Sequence, residues 1–414
     1  MNTTAAAAPV GRAPLKEMWI ISLGHSLTHW YPATFYLLLP LIGRELGLSY
    51  AEIGFLMTAQ HAVGALTNIP GGVIVDAIGY KGRLMAISLF WVGFPYLLMA
   101  FAQSYWMLLG CMVLIGIGNN LWHPAAISTL GMRFPERKGF ALSIHGMGGN
   151  FGEALAPLLI GALLAVYSWR TVMVVNLVPG LVMAALLLMY LGSMRLYAQD
   201  AGAAKLAADK WTLSRYLAEL KPLAANRAIV MIAACSFFRS GAQSALLTFL
   251  PLYLADTMGF SPTAVGFALF LLQAVAFASA PLAGYVSDRL GRKSVMSGAM
   301  IMTAFIMMLM AIASESTWVI FLVALLGFFM YATRPVIQAW SLEAAPAAVG
   351  STVVGIMFGV QALGSAISPS VSGIIADAYS LSATFYYLTG VIVIGNVLVV
   401  FIPDVPRQGA KAPA

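Results

Sequence analysis

Apolar runs long enough to cross a lipid bilayer recur from Met18 to Pro403, separated by short polar punctuation. A helix rises 1.5 Å per residue, so ~20 mostly apolar residues cross the hydrocarbon. One water-soluble core cannot hide so many runs. Only 9% of the residues are charged, against roughly a quarter in soluble domains. Twelve runs are counted, near 18–41, 51–75, 84–103, 105–130, 138–165, 169–193, 227–254, 262–287, 294–314, 316–343, 347–377 and 381–402. They predict an all-α polytopic membrane protein of twelve transmembrane helices. In the bilayer only closed backbone hydrogen bonding survives, which favours helices for runs of this length.

The net charge of +7 raises the question of a nucleic-acid partner, but the placement of the cations answers it. Eighteen of the 22 Lys and Arg fall in alternate loops: Arg12 and Lys16; Lys81 and Arg83; Arg133, Arg137 and Lys138; Arg195 through Arg227; Arg289, Arg292 and Lys293; Arg407 and Lys411. Arg44 and Arg170 occupy the opposite loops, and only Arg239 and Arg334 fall inside spans. The positive-inside rule then predicts both termini in the cytoplasm, a bacterial inner (plasma) membrane setting and an even number of spans. No nucleic acid is expected. Cys111 and Cys235 both lie in predicted spans and imply no disulfide framework. Residues 1–17 read as a cytoplasmic tail, 18–193 as a first six-helix half, 194–226 as a basic cytoplasmic linker, 227–403 as a second half and 404–414 as a second tail.

The halves share a pattern at one offset. Gly72 and Asp76 recur 212 residues later as Gly284 and Asp288, and Gly152, Pro157 and Gly161 recur as Gly364, Pro369 and Gly373. Parallel repeats about the membrane normal are a known transporter architecture. The loop Gly284-Tyr-Val-Ser-Asp288-Arg289-Leu-Gly291-Arg292-Lys293 resembles the major facilitator signature between the second and third helix of each half. Its weaker first-half copy carries Gly72, Asp76, Lys81 and Arg83. The resemblance implies the major facilitator fold, two pseudo-symmetric six-helix halves, and a gate role for these residues: they would hold the halves together in one state. Gly24-His25, Trp122-His123-Pro124 and Gly148-Gly149-Asn150-Phe151-Gly152 resemble the fosmidomycin resistance branch of that superfamily. Where that branch carries Asp on its first helix, this chain carries His29.

Ionisable groups at mid-membrane cost roughly 2.5–3.5 kcal/mol each on insertion scales, so those retained are expected to face a cavity or a partner. All five histidines fall in first-half spans: His25, His29, His61, His123 and His145. His25 and His29 share a helix face, and Tyr36 continues it. Asn119 sits one turn before His123. His145 and Glu153 share a face of the fifth helix, with Gly149 between them. In the second half Arg239 shares a face with Gln243, and Arg334 with Gln338. Arg334-Pro335 sits near where His123-Pro124 falls in the first half. A basic residue beside a helix-breaking Pro suits a midplane site.

This cavity reads as net cationic, and guanidinium forks suit carboxylate, phosphate or phosphonate. The substrate-binding candidates are His25, His29, Tyr36, Asn119, His123, Arg239, Gln243, Arg334 and Gln338. Glu153 leads for proton coupling, with His145. Pairing of the two arginines with Glu153 or Glu343 is the structural alternative. Gly148 with Gly152, and Gly355 with Gly359, are small-x-x-x-small pairs expected to pack helices closely. No phosphate-binding loop appears, so a gradient is expected to supply the energy. No cofactor and no enzyme chemistry are expected. The first reading is a monomeric, proton-coupled antiporter that exports a small anionic or zwitterionic drug-like solute by alternating access. The second is uptake or exchange of an organic anion or metabolite. A third is a metal or metal-chelate carrier, with His25, His29 and His123 as ligands.

Overall fold

The computed structural model describes residues 15–78, 80–118, 121–193, 222–313, 316–345 and 350–403. Side chains at 68–74, 76–78, 316–317 and 350–352 lie outside this description, as does most of the expected linker. Among the described residues every long element is a helix. The first half holds α1 (Leu15–Leu46), α2 (Tyr50–Ile78), α3 (Lys81–Met99), α4 (Tyr105–Gly118), α5 (Trp122–Arg133), α6 (Lys138–Leu163) and α7 (Trp169–Leu191). The second holds α8 (Arg227–Leu252), α9 (Pro262–Leu290), α10 (Arg292–Ile312), α11 (Ser316–Glu343), α12 (Gly350–Ala378) and α13 (Leu381–Val400). α4 and α5 together make the fourth span, Tyr105–Arg133.

Nine described helices are long and apolar enough to cross a membrane on composition alone. The three long helices outside that set are α1, α2 and α6, and they carry four of the five histidines. Their polar content is turned inward rather than absent. Prolines sit inside α1, α3, α6, α7, α8, α9, α11 and α12, an arrangement that helices packed in a membrane bundle tolerate.

Helix pairing follows the sequence repeat. α1 packs on α6 as α8 packs on α12, and α3 packs on α7 as α10 packs on α13. The halves meet through α2 against α12 and α9 against α6. The 212-residue offset relates even the single contacts. A Cβ on Gly54 would strike the Pro369 carbonyl, and one on Gly266 would strike the Pro157 carbonyl. Gly373 lies against Tyr50 as Gly161 lies against Pro262. Two bonds without a counterpart at that offset add to the junction: Thr58 Oγ1 donates to the Ala366 carbonyl, and Thr263 Oγ1 donates to the Gly161 carbonyl at 2.9 Å.

All these contacts cluster at the end of the bundle opposite the two termini. Toward the terminal end, among the described residues, Gly146, Gly284, Gly355 and Gly359 have no atom within 4 Å of where a Cβ would stand. Among the described residues the halves are therefore joined at one end and parted at the other. This corrects the expectation for Gly355 and Gly359, which make no close helix contact among the described residues. Gly148 and Gly152 do pack closely, against the carbonyls of Ser22 and Ser26 on α1.

Candidate functional site

The α1–α6 contact positions the histidines. Because Gly148 and Gly152 carry no side chain, the two helices approach to backbone contact. Gly149 between them leaves space for two imidazoles: a Cβ there would lie 2.8 Å from His25 Cε1 and 3.0 Å from His29 Cδ2. His25 Nδ1 donates to the His145 carbonyl at 2.7 Å. Its Nε2 then carries the lone pair and accepts from His123 Nε2 at 3.2 Å. The His145 ring stacks on His25 at 3.9 Å, and neither of its ring nitrogens has a hydrogen-bond partner among the described residues. His29 Nδ1 donates to Glu153 Oε1 at 2.6 Å. The sequence separation of 124 residues in that pair shows how much the fold contributes.

One ring nitrogen each from His25, His29 and His123 lies within 4.8 Å of the others. This is the trio expected from the sequence. Within it His25 engages both its nitrogens and His29 spends Nδ1 on Glu153. Arg334 also adds positive charge within electrostatic reach of His123. We read the cluster as a hydrogen-bonded network.

Across from it lies a cavity of about 170 Å³, lined by Asn150 of α6, Gln273 of α9, and Tyr331, Arg334 and Gln338 of α11 among others. Arg334 and Gln338 point into it as expected, and both are exposed there. Arg334 makes no ion pair among the described residues. Glu343, one of its possible partners, is held by Arg292 instead at 2.8 Å. Arg239 departs from the expected placement. It is 2% exposed, sits behind the lining and donates to Gln243 on its own helix, while its Nε has no partner among the described residues. Tyr36 is partly buried, within electrostatic reach of Glu153 and Tyr331. His61 approaches Ser244 Oγ at 3.1 Å, at the junction of the halves rather than in the cluster. Asn119 lies outside the described residues, and of Gly72 and Asp76 on α2 only the backbone is described.

The second-half gate motif sits at the parted end. Asp288 pairs with Arg292 at 2.6 Å, Arg289 lies over Tyr285, and Gly291 adopts φ 96°, a conformation glycine tolerates without strain. In the first half Lys81 donates to Ser128 at 2.8 Å, and Arg83 to the Gly192 carbonyl at 2.8 Å. These bonds stay within their own half. The sequence reading has the motif holding the halves together in one state; the described bonds lie within one half each.

What joins the halves was missed. Arg44 at the end of α1 bonds Asp256 through Nε at 2.8 Å and Nη2 at 2.5 Å, and Tyr50 donates to the other Asp256 oxygen at 3.2 Å. Asp377 of α12 accepts from the backbone N–H groups of Tyr50 and Ala51 at 2.9 and 2.8 Å. A carboxylate from one half thus caps a helix of the other. Within α2, Ser49 and Glu52 bond each other's backbone N–H at 3.1 and 2.9 Å, a capping box that Ser-x-x-Glu in the sequence announces.

The model of the Major Facilitator Superfamily matches residues 18–261 and again 232–414, covering both halves. The chain is 26% identical over 401 residues to the fosmidomycin resistance protein of Escherichia coli, with 97% of this chain and 96% of that one covered. It is 26% identical to a probable sulfoacetate transporter of Cupriavidus necator, covering 82% of this chain and 81% of the relative. Among solved structures, a bacterial homologue of the human lysosomal transporter Spinster, described as inward-facing and unoccupied, superposes with a TM-score of 0.78 at 17% identity, covering 96% of each chain.

Proposed function

The chain belongs to the Major Facilitator Superfamily, and from that premise we propose that it is a proton-coupled carrier of a small organic anion or zwitterion. The observation that carries the reading is Arg334. It is a guanidinium exposed in a membrane-embedded cavity, flanked by Gln338, Gln273 and Asn150, with no carboxylate within ion-pair distance among the described residues. A cation kept at that depth without a partner is costly, and a transported anion would supply the partner. The amides give neutral donors and acceptors for the rest of the solute. Sulfoacetate, named for one relative, is an anion of this class.

Glu153 and His29 are the proposed proton site, with His145 beside them. The basic loops support cytoplasmic termini and an inner-membrane location, so the parted end would open to the cytoplasm. The neighbour with the inward-facing description is in keeping with that orientation. A single chain encloses the whole cavity, so the monomer is the proposed working unit. Export of a drug-like anion and uptake or exchange of a metabolite remain the two directions this reading allows.

The test is counterflow in liposomes. Purified protein is reconstituted with unlabelled sulfoacetate or fosmidomycin inside, and uptake of the labelled compound is followed. Wild type is expected to show counterflow with at least one of them, and Arg334→Ala is expected to lose it. Counterflow undiminished in Arg334→Ala would sink the anion reading.

A further inference from the structure

We infer that the transported anion carries an apolar body, an aryl or alkyl group, held against Phe277 while Arg334 takes its charge. The inference rests on the anion-carrier reading and adds the chemical class of the anion.

Two helix faces build the space. On α9 the lining residues stand at i, i+3, i+4 and i+7 from Gln273, and on α11 at the same spacing from Tyr331. Each helix thus turns one stripe toward the cavity. Both run from the joined end toward the parted end, since Thr263 at the start of α9 bonds Gly161 and Glu343 at the end of α11 bonds Arg292. A Cβ on Gly327 of α11 would strike the Leu272 carbonyl of α9, which fixes their register. Eight residues further along each helix stand Ala280 and Pro335, so these two lie level, with Arg334 beside them.

α6 runs the other way, and its Pro157 carbonyl meets Gly266 of α9. Seven residues from that contact stand Asn150 and Gln273, both in the lining. Eleven residues from it stand Gly146 and Phe277. Among the described residues no atom lies within 4 Å of where a Cβ on Gly146 would stand, and Phe277 is 42% exposed. The phenyl ring is therefore level with a position that has no side chain, and the space before it is unfilled.

The lining divides by character. Arg334 is the one charged side chain among the described lining residues, and Asn150 and Gln273 add amides above it. Ala276, Phe277, Ala280 and Pro335 offer only carbon from their side chains. A solute that turns hydroxyls toward this wall leaves them without partners, which costs affinity. A methylene buried there strengthens binding about fourfold. An aromatic ring gains further from offset or edge-on contact with Phe277. The cavity therefore favours an acid with a hydrocarbon body over a polyhydroxy acid of equal charge.

Three sulfonates test this: methanesulfonate as the bare head, phenylmethanesulfonate with an apolar body, and dihydroxypropanesulfonate with a polar one. All three stay singly ionised throughout the working range, so protonation of the probe does not enter. Dissociation constants are measured by titration calorimetry on the full chain in detergent. Wild type is expected to bind phenylmethanesulfonate about 10-fold or more tightly than methanesulfonate, and the dihydroxy compound no more tightly than methanesulfonate. Phe277→Ala is expected to cut the preference for the phenyl compound to within about threefold. Gly146→Leu adds a side chain in open space, so the fold is expected to hold while the place of the solute's ring is taken and the preference falls. Arg334→Ala is expected to weaken all three. If no sulfonate binds wild type, the anion-carrier reading fails and this inference with it. If the three bind alike, or the dihydroxy compound binds tightest, the anion reading stands and the apolar class is overturned. A preference undiminished in either the Phe277 or the Gly146 variant would overturn the place given to Phe277.

Discussion

Arg44 and Asp256 are the same position in the two halves, 212 residues apart, and they bond to each other across the junction at 2.5 Å. The flanking glycines repeat the relationship, since Gly47 and Gly259 adopt φ 62° and 69°. A residue that meets its own counterpart lies on the pseudo-two-fold axis. Identical side chains there would repel, and the repeat has acquired opposite charges instead. Arg44 is 56% exposed, so the pair contributes at most about 1 kcal/mol, which is up to roughly a fivefold bias toward the closed junction. Asp256→Arg is expected to widen the distance between spin labels on the α1–α2 and α8–α9 turns. The double exchange Arg44→Asp with Asp256→Arg is expected to bring it back. A double variant as open as the single one would show that charge is not what holds this end.

Asp377 strengthens the same closure by a different route. It accepts two N–H groups at the start of α2, where the helix dipole also favours a negative charge. Its counterpart in the first half is Ala165, so this cap has no symmetric twin. Asp377→Asn keeps the shape and removes the charge. It is expected to cost about 0.5–1 kcal/mol of closure, seen as a larger open fraction in the same spin-label measurement. An unchanged distance distribution would mean that the interlocked glycines suffice.

Much of this architecture is written in the sequence, and the parts that are not have physical reasons. The apolar runs and the 212-residue repeat reveal twelve spans, because the bilayer punishes every other arrangement. The close α1–α6 contact is legible in Gly148 and Gly152. The same spacing at Gly355 and Gly359 misleads, since a small residue permits contact but does not create it. Arg239 was placed in the cavity because it shares a helix face with Gln243. In the structure it is almost fully buried and donates to that neighbour. The Arg44–Asp256 bond could have been found by adding the repeat offset to Arg44, but distance in the chain gives no cue that the two ends meet.

The glycines offer an internally controlled stability test. A methyl at Gly152 would collide with the Ser26 carbonyl, a backbone atom that cannot turn aside. Gly152→Ala is expected to cost about 1–3 kcal/mol through overpacking and to lower the melting temperature. It should also displace His29 from Glu153, since both sit on the two helices it pushes apart. Gly355→Ala meets open space and is expected to be neutral, or stabilising by up to about 1 kcal/mol through helix propensity. Equal melting temperatures for the two variants would refute the close-contact account of α1 and α6.

Arg239 separates stability from function. It is almost fully buried, no carboxylate pairs with it among the described residues, and its Nε is unsatisfied. A side chain in that condition weakens the fold, on the order of 2.5–3.5 kcal/mol if it sits near mid-membrane. What it can give in return is positive potential behind Arg334, felt by any anion in the cavity. Arg239→Met keeps the length of the side chain and discards the charge. The variant is expected to melt several degrees higher than wild type while binding sulfoacetate more weakly, with the loss greatest at low salt. Thermal scanning beside a binding titration checks both halves of the statement. A variant that melts lower would reveal a structural partner for this guanidinium, and one that binds as tightly as wild type would remove Arg239 from the field that holds the anion.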